Sequence, residues 1–108
     1  MSSKVTTNEF GISEQSLEEI IKILSKNKKI KKAIIYGSRA KGNFNAGSDI
    51  DITIIAPEMD FSEYLLLLAQ MEELEIPQNI DLTKFELLDN SVKEHIKRVG
   101  KEIYMAES

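Results

Sequence analysis

Residues 33–55 read AIIYGSRAKGNFNAGSDIDITII. An apolar run, Ala33-Ile34-Ile35-Tyr36, stops at Gly37-Ser38; a polar loop of ten residues, Arg39 to Ser48, follows, and Asp49 and Asp51 then open a second apolar run. The first run is continuous enough for a strand buried on both faces. In the second, alternation sends Ile50, Ile52 and Ile54 to one face and Asp49 and Asp51 to the other. Carboxylates two residues apart on a strand lie about 7 Å from each other, close enough to share one cation or two. They repel, and beside apolar residues they protonate or destabilise the fold unless a divalent ion compensates them.

Gly37-Ser38 supplies the other half of a site. A glycine lets backbone approach a ligand closely, and the N–H groups of the following turn together with the Ser38 hydroxyl suit phosphate oxygens. Arg39 and Lys41 stand near enough in sequence to add positive charge to a triphosphate, the arginine through its forked donors. Cysteine is absent and His95 is the single histidine, so a metal here is held by oxygen ligands or by that one imidazole. Oxygen-only ligation suits magnesium. His95 falls on the apolar stripe of the last helix, where a histidine bonded at the edge of a core is the commoner case, and it is left out of the site.

The order of elements constrains the topology. The glycine cradle closes strand one and the aspartates open strand two, so the two meet at one edge only if these strands run antiparallel. Asp81 lies near the start of a third strand, separated from strand two by a helix, which fits a parallel crossover. The three aspartates then converge.

Around this centre the chain reads as one domain, residues 13–108, preceded by a loose lead-in over residues 1–12. A first helix starts at Ser13 or at Ser16, the latter forming a capping box with Glu19, and carries Leu17, Ile20, Ile21 and Leu24 on one stripe. Asp60 with Glu63 opens a second helix whose stripe reads Phe61, Tyr64, Leu65, Leu68 and Met71, leaving Leu66 and Leu67 as surplus apolar surface for a core or a partner. Asn79 to Leu87 alternates as strand three, Ser91 with Glu94 caps a last helix, and Lys101 to Met105 forms a short final strand. Lys and Arg number 14 against 18 Asp and Glu, a formal charge of −4, which discourages general nucleic-acid binding. No apolar run spans a bilayer and the N-terminus lacks a secretion signal, so a cytoplasmic location is expected, with no membrane partner.

Competing motifs fail on particular residues. A Walker loop needs Lys-Ser or Lys-Thr after its second glycine, and Asn43-Phe44 follow Gly42. A dinucleotide fingerprint lacks its middle glycine. An EF-hand would place glycine where Ile54 stands. Asp49-Ile50-Asp51-Ile52-Thr53 resembles the Asp-x-Asp-x-Thr of haloacid-dehalogenase-like phosphatases, but there an apolar strand precedes the first aspartate, whereas here a polar loop does.

Gly37-Ser38, the loop, Asp49, Asp51 and a later Asp81 match one by one the pattern of the polymerase-beta-type nucleotidyltransferase superfamily, which the sequence resembles over about residues 13 to 105. More narrowly, GSRAKG followed by SDIDI is similar to the minimal nucleotidyltransferases often paired with a HEPN-domain protein; Lys41 stands where these often carry a second arginine. The resemblance implies an α/β (α+β) fold with a mixed sheet and helices mainly on one face. It implies ATP as donor of AMP to a hydroxyl, two magnesium ions held by Asp49, Asp51 and Asp81, and Gly37, Ser38, Arg39 and Lys41 on the nucleotide. In the HEPN-paired members the acceptor is a tyrosine of the partner toxin, which the transfer silences. Three alternatives stay open: catalysis on a protein, a binding module acting by occlusion, and nucleotide addition to RNA. Homo- and hetero-oligomers are both compatible with the sequence.

Overall fold

The computed structural model describes residues 9–106. In chain order they form α1 (Glu14–Ser25), β1 (Lys32–Tyr36), α2 (Gly37–Lys41), β2 (Ile50–Ile55), α3 (Phe61–Glu72), β3 (Ile80–Lys84), a 3-10 turn (Phe85–Leu87), α4 (Asn90–Val99) and β4 (Lys101–Met105). The strands make one mixed sheet in the order β3-β2-β1-β4. β1 lies antiparallel to both β2 and β4, while β2 and β3 run parallel, joined through α3. The antiparallel and parallel pairings required by the cradle and the aspartates are therefore both present.

Strand alternation separates two faces. Ala33 and Ile35 of β1, Ile50, Ile52 and Ile54 of β2 and Leu82 of β3 enter the main core, where they meet Ile20 and Leu24 of α1 and Leu67 and Met71 of α3. The opposite face carries Ile34, Tyr36, Asp51, Thr53, Asp81 and Thr83. Near β1 this face is approached by the end of α4: a Cβ placed on Gly100 would lie 2.6 Å from Cγ2 of Ile34. Ile96 of α4 is buried there, outside the main core. Among the described residues no helix is long and apolar enough to cross a membrane.

Several local expectations are corrected. Residues 1–8 of the expected lead-in lie outside the described residues, but Phe10 and Ile12 are buried in the main core, so the packed domain starts before residue 13. Ser13 caps α1, its hydroxyl accepting from the Ser16 amide at 3.0 Å, rather than Ser16 with Glu19. Asp89 caps α4 by accepting from the Val92 amide at 3.0 Å, and Ser91 donates to the same carboxylate at 2.8 Å instead of acting as the cap. β3 stops at Lys84 because the chain turns there, which lets the Glu86 carboxylate accept from the Ala56 amide just beyond β2 at 3.2 Å. The Asp60–Glu63 capping box forms as expected.

The rotation of α3 differs from the simplest stripe. Lys29 grips Glu63 at 2.8 Å, and the Tyr64 hydroxyl donates to the Leu82 carbonyl on the free edge of β3 at 2.7 Å. These contacts turn Tyr64, Leu67, Leu68 and Met71 inward, the i, i+3, i+4, i+7 pattern of one helical face. Phe61, Leu65 and Leu66 are left in solvent, Leu66 at 68% exposure. Leu67→Ala should therefore cost about 2–5 kcal/mol in urea unfolding, whereas Leu66→Ala should stay within about 0.5 kcal/mol of the parent. Equal losses at the two positions would contradict this rotation.

Candidate active site

β1 delivers its last residue, Tyr36, directly opposite Asp51, and Asp51 in turn pairs in register with Asp81. One row across three strands thus holds a tyrosine and two carboxylates, all on the face away from the main core. Asp49 stands one residue before β2 and two before Asp51, extending the acidic group toward solvent. Asp49 and Asp81 are exposed and Asp51 is half-buried. At the same end of the sheet Gly37 opens α2 with φ at +75°, and a Cβ there would overlap the Asp51 carboxylate. Both the backbone angle and the close approach require glycine at this position.

The electrostatics follow from this crowding. Burial pushes the Asp51 carboxyl above its ordinary range, and the charges of Asp81 and then Asp49 push it the same way. Burial likewise raises the Tyr36 hydroxyl, with the Asp51 and Asp81 charges adding to it. Tyr36 Oη lies 3.3 Å from Thr83 Oγ1, which itself donates to the Ile52 carbonyl at 3.4 Å, so the tyrosine is the donor of the pair. Tyr64 is also raised, by burial first and by the Asp81 charge next. Both phenols stay protonated beside the acidic row. Neither was singled out from sequence; Tyr36 becomes visible only once the register places it beside Asp51.

The structure gathers Gly37, Asp49, Asp51 and Asp81 at one end of the sheet. Ser38 is half-buried in the first turn of α2, and Lys41 is exposed at the end of that helix. Arg39 departs from the expectation that it faces a triphosphate. It is 1% exposed and its guanidinium points inward, donating to the carbonyls of Phe10, Gly11 and Ser48. A side chain so committed has no free donor face to offer a phosphate. His95 is half-buried on α4. A groove of about 550 Å³ also opens between the end of α3 and the β3 edge, its lining mixing apolar side chains such as Met71, Ile80 and Leu82 with the polar Glu72, Gln78 and Asn79. Ile80 and Leu82 alternate with Asp81, which puts this groove on the other face of the strand from the acidic row.

Among the described residues no three His, Cys, Asp or Glu side chains are drawn around a common point as a preformed metal cage. The donor set nevertheless fits a hard cation. Asp51 and Asp81 face each other across one ladder position with mutually unfavourable charge, and magnesium is commonly bound by one or two carboxylates plus water and phosphate oxygens rather than by an all-protein cage.

Comparisons with known proteins bear on the fold and on the family. No curated protein matches the chain by sequence. Among solved structures, a toxin-antitoxin crystal structure with AMP-PNP superposes with a TM-score of 0.68 at 23% identity, covering 84% of this chain and 74% of that one. The MntA-HepT toxin-antitoxin structure gives a TM-score of 0.63 at 21% identity, over 86% and 73% of the two chains. A structure of the tri-AMPylated Shewanella oneidensis HEPN toxin in complex with its MNT antitoxin gives 0.64 at 20% identity, over 86% and 72%. These likenesses establish the fold. The family model described as "Polymerase beta, Nucleotidyltransferase" matches residues 18–108, the span that holds the glycine turn and all three aspartates, and the chain belongs to that nucleotidyltransferase family.

Proposed function

We propose that this protein transfers AMP from ATP to a hydroxyl on a partner macromolecule, and that the acceptor is a tyrosine of a HEPN-type toxin. The observation that carries the reading is the ladder row in which Asp51 and Asp81 stand side by side, with Asp49 beyond them and Gly37 packed against Asp51. Further support comes from the similar structures, one holding AMP-PNP and one holding an AMPylated HEPN toxin. Asp49, Asp51 and Asp81 would hold magnesium, whose chemistry in such a site is to lower the pKa of the acceptor hydroxyl and to offset charge on the departing pyrophosphate.

The chain's own contribution is placement. Gly37 would let the α2 backbone and Ser38 approach the phosphates beside Asp51, since a side chain at residue 37 would displace that carboxylate. Transfer forms a bond from the acceptor oxygen to the α-phosphorus and breaks the bond to pyrophosphate, with the hydroxyl proton passing to water. Asp49 and Asp81 are exposed, so the acceptor can approach from outside the domain. The solvent-facing Phe61, Leu65 and Leu66 of α3 also favour a protein partner, and they would serve occlusion without catalysis equally well.

The test is transfer of label from α-labelled ATP in magnesium to a co-purified toxin. Asp49→Asn and Asp51→Asn are each expected to reduce labelling by at least about 1,000-fold, consistent with loss of a metal-centred reaction. Labelling that survives in both variants would overturn the reading. Toxin neutralised by both variants without label would establish occlusion instead.

Asp51 also makes a stability prediction. Its folded pKa lies above the ordinary value of 3.8, so between those two values the native state holds more protons than the unfolded state and stability falls as pH rises. Above that window the full cost of the ionised, crowded carboxylate remains. Asp51→Asn should therefore raise the melting temperature of the metal-free protein at pH 8 and leave it nearly unchanged at pH 3.5. Magnesium should stabilise the parent and not the variant. A variant less stable than the parent at pH 8 without metal would contradict the electrostatic account.

A further inference from the structure

We propose that Arg39 is a positioning residue for Asp49, and that through it the chain at Phe10 and Gly11 becomes part of the support of the carboxylate site. This rests on the reading of Asp49 as a metal-holding residue. Nε and Nη2 of Arg39 donate to the Ser48 carbonyl at 3.2 and 2.8 Å, and Nη1 donates to the Phe10 carbonyl at 2.9 Å, with Gly11 at 3.4 Å. The Ser48 carbonyl and the Asp49 amide are the two ends of one planar peptide group. Gripping that oxygen through two donors of a rigid fork fixes how the chain turns into β2, and so where the Asp49 side chain begins.

On either side of the turn leading to Asp49 the backbone is anchored, the Asn43 amide donating to the Ser38 carbonyl at 3.2 Å and the Ile50 amide to the Asn79 carbonyl at 2.8 Å. The turn itself bonds mainly within itself. The Asn45 amide donates to Ser48 Oγ at 3.1 Å, the Gly47 amide to Asn45 Oδ1 at 2.9 Å, and the Ser48 amide to the Asn45 carbonyl at 3.1 Å. These bonds give the turn a shape without tying it to the body of the domain. Arg39 supplies a tie, and the Phe44 ring, 4.9 Å from the guanidinium carbon, adds another from the same loop. Gly11 closes the assembly from the other side: its φ is +72° and a Cβ there would run into the Phe44 ring. The aperiodic segment before α1, the buried cation, the loop aromatic and the peptide before Asp49 thus form one packed unit.

Charge supports the assignment. Burial draws the guanidinium below its ordinary pKa, and the negative charge of Asp49 acts in the opposite direction, so the two groups are within electrostatic reach. A cation held by carbonyl dipoles and a π face, with a carboxylate nearby, is a tether with a charge attached. Residues that orient metal ligands in this way typically change metal affinity about 10–100-fold when removed.

The experiment is binding of Mn²⁺ alone, without nucleotide, to the full chain, followed by electron paramagnetic resonance for the parent, Arg39→Lys, Gly11→Ala and Asp49→Asn. Circular dichroism reports whether each variant is folded. Lysine keeps the charge but loses the fork, and Gly11→Ala keeps the fork while its Cβ would press on both the Phe44 ring and, at 3.1 Å, Nη1 of Arg39, disturbing the seat of the guanidinium. Both should weaken Mn²⁺ binding about 10-fold while KM for ATP at saturating metal changes less than about twofold. A phosphate-contacting arginine would give the reverse, with normal Mn²⁺ binding and a raised KM. Should Arg39→Lys fail to fold, Gly11→Ala carries the decision. Parent-like Mn²⁺ affinity in the folded variants, with Asp49→Asn impaired, would overturn the role of Arg39 alone. Parent-like affinity in Asp49→Asn, or no Mn²⁺ binding by the parent, would overturn the aspartate site and the Arg39 inference together.

Discussion

The register of three strands decides both the core and the chemistry. Because side chains alternate with a period of two, a slip of one residue between β2 and β3 would carry Asp81 inward and bring Ile80 and Leu82 out. The same slip would separate Asp51 from its acidic neighbour. Three contacts hold the observed register besides the apolar pattern: Thr83 Oγ1 on the Ile52 carbonyl, Thr53 Oγ1 on the Thr83 carbonyl, and Tyr64 Oη on the Leu82 carbonyl. Two cross the β2–β3 boundary directly and the third reaches the outer edge of β3 from α3. The hydrophobic driving force that buries Ile50, Ile52, Ile54 and Leu82 is therefore what presents Asp51 and Asp81 as a pair.

That arrangement sets function against stability within a small domain. Asp51 is half-buried beside Asp81 and Asp49, and burial first, then the Asp81 and Asp49 charges, disfavour its charged form. A chain of 108 residues has a modest core with which to offset such local strain. Offsetting features sit nearby. The main core extends to Phe10 and Ile12, and the buried Arg39 binds several carbonyls that would otherwise need water or another donor. Conflict between local electrostatics and the fold is concentrated at the site.

The sequence exposed the strand-loop-strand centre and the antiparallel requirement because these depend on period and order alone. It exposed the Asp60–Glu63 box for the same reason: both partners lie within one turn. What it did not expose depends on contacts between distant segments. Arg39 beside Gly37-Ser38 reads as a phosphate ligand, yet its direction is set by Phe10 and Gly11, an aperiodic stretch some thirty positions away. The face of α3 was ambiguous because a helix with Leu at 65, 66, 67 and 68 supports overlapping stripes. Lys29 and Leu82, both outside the helix, select among them. At α1 the sequence offered two capping residues and the extended backbone at Ser13 made the choice, whereas at α4 the expected Ser91 gives way to Asp89, whose backbone is the extended one.

Charge also orders the encounter with substrate. The chain carries a formal charge of −4, and the acidic row concentrates negative charge beside the glycine turn, where the proposed function would seat a triphosphate. Arg39, the cation nearest the glycine turn in sequence, is turned inward, and Lys41 is exposed where solvent screens it. A bare triphosphate would thus meet net repulsion at close range. On the proposed function, nucleotide already complexed with a divalent cation would meet the opposite, because the cation would take up the carboxylates while the phosphates approached the backbone at Gly37 and Ser38. On that reading, the burial and neighbouring charges that raise the Asp51 pKa would become affinity for the complexed nucleotide, and the crowding of the three aspartates would select the form of substrate that can react.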